Sequence, residues 1–218
     1  MHKYVIMGVQ GCGKGTQARM LCEDFDLVHI SVGDIFRWNI KHHTKLGAHV
    51  QQLIRSGRLV GDEVVDEIVR RRLDEHDWNF GFVLDGFPRN MPQAEFFLEH
   101  FDISAVLYLV VPDEVVCQRV LARRLCSRCG LDYNLIYHRP KSLDACDVCG
   151  GRLVTRPDDN ESALRDRLQT YHAETEPVLD LFRRKARVIE IDGTLPPIDV
   201  QNDIRRRIGL RLVTPPAA

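Results

Sequence analysis

Three features of the sequence predict an α/β architecture: a five-stranded parallel sheet flanked by helices, with a small cysteine-bearing insert. Short apolar runs near residues 3, 27, 81, 105 and 187 alternate with segments of helical periodicity, the pattern of parallel strands joined by crossover helices. The run Tyr4-Val5-Ile6-Met7 leads directly into Gly8-Val9-Gln10-Gly11-Cys12-Gly13-Lys14-Gly15-Thr16, a strand feeding a glycine-rich turn and the start of a helix. Two Cys-x-x-Cys pairs, Cys126/Cys129 and Cys146/Cys149, are separated by sixteen residues and interrupt the regular succession.

A chain of 218 residues can build one substantial core with a small inserted subdomain. Its 44% hydrophobic and 28% charged residues suit a soluble globular protein, and a formal net charge of -1 gives no global pull toward nucleic acid or anionic lipid. Arg outnumbers Lys several-fold. That is either a composition bias or a set of bidentate phosphate grips, and position must separate the two. The apolar stretch at the N-terminus is too short for a signal peptide, and no run approaches the roughly 20 apolar residues of a membrane span. The expectation is a soluble cytoplasmic protein, in whose reducing compartment regularly spaced cysteines read as metal ligands before disulfides.

In the first turn, Gly8, Gly11, Gly13 and Gly15 lack a Cβ, so backbone N–H groups can turn inward around an anion. Lys14 adds a point charge, and the following helix aims its positive end at the same place. Thr16 stands one position later than the strict phosphate-loop pattern has its hydroxyl. The alternative is a glycine-rich turn with no ligand, and Lys14 and Thr16 argue against it. The helix continues past Cys22 to Phe25, with Cys22 on its apolar face.

Leu27 to Ile30 reads as a strand, and Ser31-Val32-Gly33-Asp34 as a capping box ahead of a helix bearing Arg37. His42, His43, His49 and His76 read as solvated. Gly47 to Arg58 reads as an amphipathic helix closed by Gly57, and Asp62 as the cap of a helix from Glu63 to Leu73 whose Arg70-Arg71-Arg72 faces solvent. Gly81 to Arg89 is an apolar strand ending in Asp85. A carboxylate at that end can hold Mg²⁺ through its water shell, and Arg89 leaves the same strand end. Pro92 opens a helix carrying Gln93, and Ala105 to Val111 has the continuous apolar character of a strand buried on both faces. The helix from Pro112-Asp113 brings Arg119, Arg123 and Arg124, with Arg119 and Arg123 on one face; alone, such a pair is more often solvated.

Cys126, Cys129, Cys146 and Cys149 can close a tetrahedral Zn²⁺ shell with no open position, which makes the metal structural. A redox pair is the competing reading, and the second pair disfavours it. Spacing alone does not separate zinc from iron. Cys12, Cys22 and Cys117 need no special role. The insert spans Leu125 to Thr155, between two helices. A turn-rich stretch to Asn160 precedes a long helix from about Glu161 to Lys185, a strand from Arg187 to Asp192 and a helix from Pro197 to Ile208. Thr214 to Ala218 reads as a loose tail.

Taken together, these motifs resemble the adenylate kinases, within the nucleoside monophosphate kinases, over nearly the whole chain. Gly8 to Thr16 looks like their phosphate loop in its Gly-Lys-Gly-Thr form. Ser31 to Asp34, Arg37, Asp85-Gly86-Phe87-Pro88-Arg89 and Gln93 are similar to their AMP-side elements. Arg119, Arg123, Arg156, Asp158, Asp159 and Arg167 are similar to their ATP-side and lid residues, and the four-cysteine insert resembles the zinc-bearing lid of bacterial members. The resemblance implies a P-loop three-layer fold with a core (1–30, 61–124, 156–218), a small helical NMP-binding segment (31–60) and a zinc-binding lid (125–155).

It also implies reversible phosphoryl transfer between Mg·ATP and AMP, giving two ADP, with Mg²⁺ and a structural Zn²⁺ as cofactors, no nucleic-acid or membrane partner, and a monomer. By resemblance, Gly11, Cys12, Gly13, Lys14, Gly15 and Thr16 hold the ATP phosphates. Arg119 stacks on the ATP adenine and Arg123 meets its phosphates. Arg37 and Arg89 grip the AMP phosphate, Arg156 and Arg167 close on the transferring group, and Asp85 positions Mg²⁺ through water. Val32, Leu59, Val60, Gly86 and Gln93 surround the acceptor nucleoside. The implied catalytic set is Lys14, Asp85, Arg123, Arg156 and Arg167. Residues 31 to 60 would close over AMP and the lid over ATP.

Three positions depart from the family's habit. Gln10 stands where proline is common, Val32 where a small hydroxyl residue is usual, and Asn134 where a histidine is often found. The nearest rival is a kinase of UMP or CMP. A zinc-ribbon nucleic-acid adaptor with a P-loop switch lacks the basic footprint it needs, because Arg128, Arg139, Lys141 and Arg152 are few and interleaved with acids. A regulatory NTPase that hydrolyses its nucleotide has no use for an Arg pair at an acceptor phosphate.

Overall fold

Alternate residues of the first strand face opposite ways, and each set meets its own layer of helices. In the structure, a computed structural model that describes residues 2–55, 58–77, 80–156 and 158–211, β1 (Lys3–Met7) lies in the middle of a five-stranded sheet. With β2 (Val28–Ser31), β3 (Phe82–Asp85), β4 (Ala105–Val110) and β8 (Val188–Asp192) it forms the order β2-β3-β1-β4-β8, every pair parallel. Val5 and Met7 join Ile30, Leu84 and Val106 in one buried cluster, while Tyr4 and Ile6 join Val83, Leu107 and Leu109 in another. Burial on both faces explains why β1, β3 and β4 read as nearly continuous apolar runs, whereas β8, at the sheet's edge, alternates with Glu190 and Asp192 exposed. The chain crosses from β1 to one edge for β2 and to the other side for β4 and β8, so a crevice opens beyond the strands' carboxyl ends.

The first core is covered by α2 (Val32–Lys41), α3 (Lys45–Arg55), α4 (Asp62–Asp74) and α5 (Met91–His100); the second by α1 (Lys14–Phe25), α6 (Asp113–Leu121) and α9 (Pro197–Ile208). Local capping sets several starts. Ser31 Oγ accepts from the Asp34 N–H at 3.3 Å, and Asn90 Oδ1 from the Gln93 N–H at 3.0 Å. Cys22 packs against the second core as expected. Gly57 lies outside the described residues, as do Pro157 and the tail from Thr214 to Ala218. Among the described residues no helix is long and apolar enough to cross a membrane.

Four expectations need correction. Arg123 is not on the helix with Arg119: α6 ends at Leu121, and Arg123 opens β5 (Arg123–Cys126). Antiparallel pairing of β5 with β6 (Asp132–Asn134) and β7 (Leu153–Val154) takes over its backbone hydrogen bonds, and pairing between distant residues is not visible in local periodicity. The long helix after the insert is α7 (Glu161–Thr170), a π-helical turn (Tyr171–Thr175) and α8 (Val178–Lys185). Pro177, which has no N–H to donate, stands at the break. Asp62 makes no cap bond; α4 begins after Gly61, and the Asp62 carboxylate turns toward α5. His76 is half-buried beside Leu73 and Phe82, and burial lowers its pKa.

Candidate active site

A cavity of about 850 Å³ lies at the carboxyl ends of β1, β3 and β4, and the site residues expected from the sequence line it, apart from the four cysteines and Asp159, which is buried behind Arg123. Its floor is the loop between β1 and α1. Gly8 sits at φ +140°, and a Cβ there would lie 2.6 Å from the Leu109 carbonyl oxygen, so the loop can only start its turn at glycine. Gly13 precedes α1 in a left-handed conformation without a side-chain cap, and no acidic residue occupies the first turn. The helix's positive end therefore faces the cavity with no acidic residue of its own first turn to neutralise it. Lys14 Nζ folds back onto the carbonyls of Gly8 at 2.6 Å and Val9 at 2.9 Å. Gly11, Cys12, Gly15 and Thr16 complete this wall. Asp85 overhangs it: a Cβ on Gly15 would lie 3.5 Å from Asp85 Oδ2.

Arginines converge on the cavity from separate segments of the chain. Arg37 comes from α2, Arg89 from the segment after β3, Arg123 from β5, Arg156 from the end of the insert and Arg167 from α7. Each is held. Arg37 Nε donates to Asp34 Oδ1 at 3.1 Å, and Arg89 Nε to the Gly86 carbonyl at 2.8 Å. Arg123 makes a two-pronged bond to Asp159, whose carboxylate is fully buried. Arg156 Nη2 meets Asp132 Oδ1 at 2.6 Å. Arg167 reaches Asp158 at 2.8 Å, the Ile54 carbonyl at 3.0 Å and Gln10 Oε1 at 2.8 Å. Burial, then Arg123 and Arg37, push the Arg156 pKa down to about 10. Burial opposes the charge on Arg123, yet its bonds to Asp159 hold its pKa above the ordinary value. A cluster of cations that depress one another is completed by a polyanion.

Arg119 is fixed at the opposite rim. Its Nη1 donates to the Gly193 carbonyl at 2.7 Å, its Nη2 to the Thr194 carbonyl at 3.1 Å, and its guanidinium lies 4.9 Å from the centroid of the Tyr137 ring. Such a bolted plane is suited to stacking. Arg119 and Arg123 thus meet at one cavity although they leave different elements. Asn134, at the departure from the family's histidine, donates to the Arg119 carbonyl at 3.0 Å and accepts from the N–H of Ile136 at 2.9 Å, tying the insert to α6.

The far end of the cavity is apolar. Val32, Phe36, Val60 and Val65 are buried there, with Leu59 and Gly86 beside them. Gln93, 1% exposed, is the one fully buried amide in that wall among the described residues. Both ends of its amide are engaged: Oε1 accepts from the Arg89 N–H at 2.8 Å, and Nε2 donates to Asp62 Oδ1 at 2.7 Å. Gln93 is therefore not wholly free to meet a ligand, as its type alone suggested.

The four cysteines come together in the insert. Their sulfur atoms all lie within 4.8 Å of one another, with Cys126 and Cys149 3.4 Å apart and Cys129 and Cys146 3.7 Å apart. Tetrahedral thiolate ligands on zinc sit about 3.8 Å from each other, so the donor set fits that ion. A Cβ on Gly151 would lie 2.8 Å from the Cys126 sulfur, which explains a glycine after the second pair. Tyr133, buried beside Cys146, takes the Asp147 N–H at 2.8 Å and completes a small core with Leu153.

Several residues of the site were not evident from the sequence. Asp132 and Gln10 hold arginines, His29 approaches Asp85 at 3.6 Å, Arg19 reaches Asp132 at 3.4 Å, and Thr175 Oγ1 donates to the Arg89 carbonyl at 2.6 Å. No motif spacing marks them, because each acts on a partner distant in the chain. The π-helical turn that carries Thr175 is a recurrent companion of functional sites.

Comparison with known proteins agrees with this geometry. The family model described as adenylate kinase matches residues 6–187. An adenylate kinase of Caldicellulosiruptor bescii is 40% identical over 213 residues, covering 95% of this chain and 99% of its own length. One of Bacillus licheniformis is 41% identical over 212 residues (95% and 98%), and one of Methanocella arvoryzae 39% over 211 residues (94% and 98%). A phosphate loop, a converging arginine cluster and near full-length similarity lead to one conclusion: the chain belongs to the adenylate kinase family.

Proposed function

We infer that this chain transfers the terminal phosphoryl group of Mg·ATP to AMP, reversibly, giving two ADP. The observation that carries the reading is the convergence of Arg37, Arg89, Arg123, Arg156 and Arg167 on one cavity floored by the phosphate loop. A hydrolase needs cationic groups around one nucleotide; a second set at an acceptor phosphate has a purpose only in transfer between two. A kinase of UMP or CMP and a zinc-ribbon nucleic-acid adaptor are not favoured, since the relatives named above are adenylate kinases.

In this mechanism an oxygen of the AMP phosphate attacks the γ-phosphorus in line, as the bond to the β,γ-bridging oxygen breaks. Little covalent chemistry falls to the protein, so catalysis is positioning and charge stabilisation. The amides of Gly11 to Thr16 and Lys14 hold the donor phosphates, which requires Lys14 to exchange the Gly8 and Val9 carbonyls for phosphate oxygens. Arg119 stacks on the donor adenine. Arg37 and Arg89 fix the acceptor phosphate, while Arg123, Arg156 and Arg167 neutralise charge on the transferring group. Asp85, beside the phosphate loop at Gly15, would hold the Mg²⁺ carried by ATP, which would neutralise charge on the donor phosphates. Val32, Leu59, Val60, Gly86 and Gln93 surround the acceptor base.

We further propose a core of residues 1–30, 61–124 and 156–218, an acceptor-side segment of 31–60 and a lid of 125–155, the latter two closing to exclude water. Cys126, Cys129, Cys146 and Cys149 hold a structural Zn²⁺ that supplements the small core around Tyr133 and Leu153, too small to stabilise the lid alone. We also propose that the protein acts as a monomer in the cytoplasm, without nucleic-acid or membrane partners. The test is diphosphate formation from Mg·ATP with AMP, GMP, CMP or UMP. Rapid ADP production with AMP alone is expected; hydrolysis independent of any acceptor would overturn the reading.

A further inference from the structure

We propose that Asp62 is a positioning residue that sets base selectivity, by locking the Gln93 amide in the orientation that accepts a 6-aminopurine and rejects a 6-oxopurine. The inference rests on the reading above, in which the wall containing Gln93 receives the acceptor base. A primary amide has two nearly isosteric orientations, and rotation by half a turn exchanges its donor for its acceptor. At Gln93 both partners dictate one choice. The Arg89 backbone N–H can only donate and faces Oε1 at 2.8 Å; the Asp62 carboxylate can only accept and faces Nε2 at 2.7 Å. Asp62 is itself held, since the same Oδ1 accepts from Asn90 Nδ2 at 2.8 Å, and Asn90 Oδ1 caps α5 through the Gln93 N–H at 3.0 Å. The Arg89 carbonyl on the other side is fixed by Thr175 Oγ1 at 2.6 Å. Nothing in this network turns without breaking a bond in a buried setting.

Gln93 then has one lone pair on Oε1 and one N–H on Nε2 to offer the cavity, in fixed order. A 6-aminopurine presents a donor at N6 and an acceptor at N1, which match them. A 6-oxopurine presents an acceptor at O6 and a donor at N1, which sets acceptor against acceptor and donor against donor. A pocket of this kind discriminates through the groups it would leave unpaired, and does so more strongly than an apolar pocket discriminates by shape. Because Val32 supplies no hydroxyl, the order imposed on Gln93 carries more of the selectivity in this chain.

The test compares phosphoryl transfer from Mg·ATP to AMP and to IMP by the wild-type protein, Asp62→Ala and Asp62→Asn. Asp62→Ala removes the acceptor and frees the amide. Its expected effects are a higher KM for AMP, a smaller change in kcat, and a fall of about tenfold or more in the AMP-to-IMP ratio of kcat/KM. In Asp62→Asn the side-chain oxygen can still accept from both amides, so the wild-type ratio is restored. A wild-type ratio in Asp62→Ala, or an Asp62→Asn variant as impaired as Asp62→Ala, overturns the proposal, the latter by assigning the effect to charge. A wild-type protein that does not prefer AMP to IMP overturns the acceptor assignment itself, and the inference with it.

Discussion

Arg89 and Asp159 do different kinds of work, and substitutions at them separate function from stability. Arg89 is held through its Nε and the Gly86 carbonyl, while the rest of its guanidinium faces the cavity. Arg89→Ala is expected to lower kcat/KM by about a hundred- to a thousandfold, as loss of one charge-stabilising donor does, with an unchanged midpoint of thermal unfolding. Asp159 touches no substrate in this account, but its carboxylate is fully buried against Arg123. Asp159→Ala leaves a buried guanidinium uncompensated and should cost about 3 kcal/mol in urea unfolding. The arginines themselves were legible in the sequence because phosphate chemistry demands their type within recognisable motifs. Two of the groups that hold them were not: Asp132 lies 24 positions from Arg156 and Gln10 157 positions from Arg167, separations that only the folded chain closes.

Among the elements, those with local signals were read well. Ser31, read as the head of a capping box, caps the helix that follows, whereas Asp62, read as a cap, does not; Asn90 and Asn160 cap their helices without having been read as caps. The strand at Arg123 and the π-helical turn at Tyr171 were missed because sheet pairing and tertiary packing override helical periodicity there. That turn makes a prediction. His172 bonds Glu176 at 2.7 Å and Asp113 at 3.0 Å, joining the turn to the start of α6. The bond to Glu176 raises the His172 pKa, burial opposes it, and Asp113 adds to the rise. A raised folded pKa means that its contribution is complete below the ordinary value of 6.5 and is lost as pH rises through the folded value. With 46% of the side chain exposed, the effect is about 0.5 kcal/mol at most, read as the difference in unfolding free energy between wild type and His172→Gln from pH 5 to 9. Metal binding by the cysteine-bearing insert should matter more to stability. Chelation, or Cys129→Ser, is expected to lower the thermal midpoint and to release hydrogen-exchange protection in β5, β6 and β7 before the main sheet. No bound metal and no change in either reading would remove zinc from the account.

At the scale of the whole molecule, the parallel sheet was legible because β1, β3 and β4 are buried on both faces and so appear as apolar runs between helices, with the alternating edge strand β8 beside them. Spacing and periodicity showed the cavity only as separate motifs; the resemblance implied, and the folded chain displays, that Arg37, Arg89, Arg123, Arg156 and Arg167 reach one volume from separate segments of the chain. That convergence is the basis for direct transfer between two bound nucleotides, with no phosphorylated protein between them. The most direct measurement uses ATP made chiral at the γ-phosphorus with oxygen isotopes, transferred to AMP, with the configuration read at the β-phosphorus of the new ADP. A single in-line displacement predicts inversion. Retention, or recovery of the label on the protein, would contradict it.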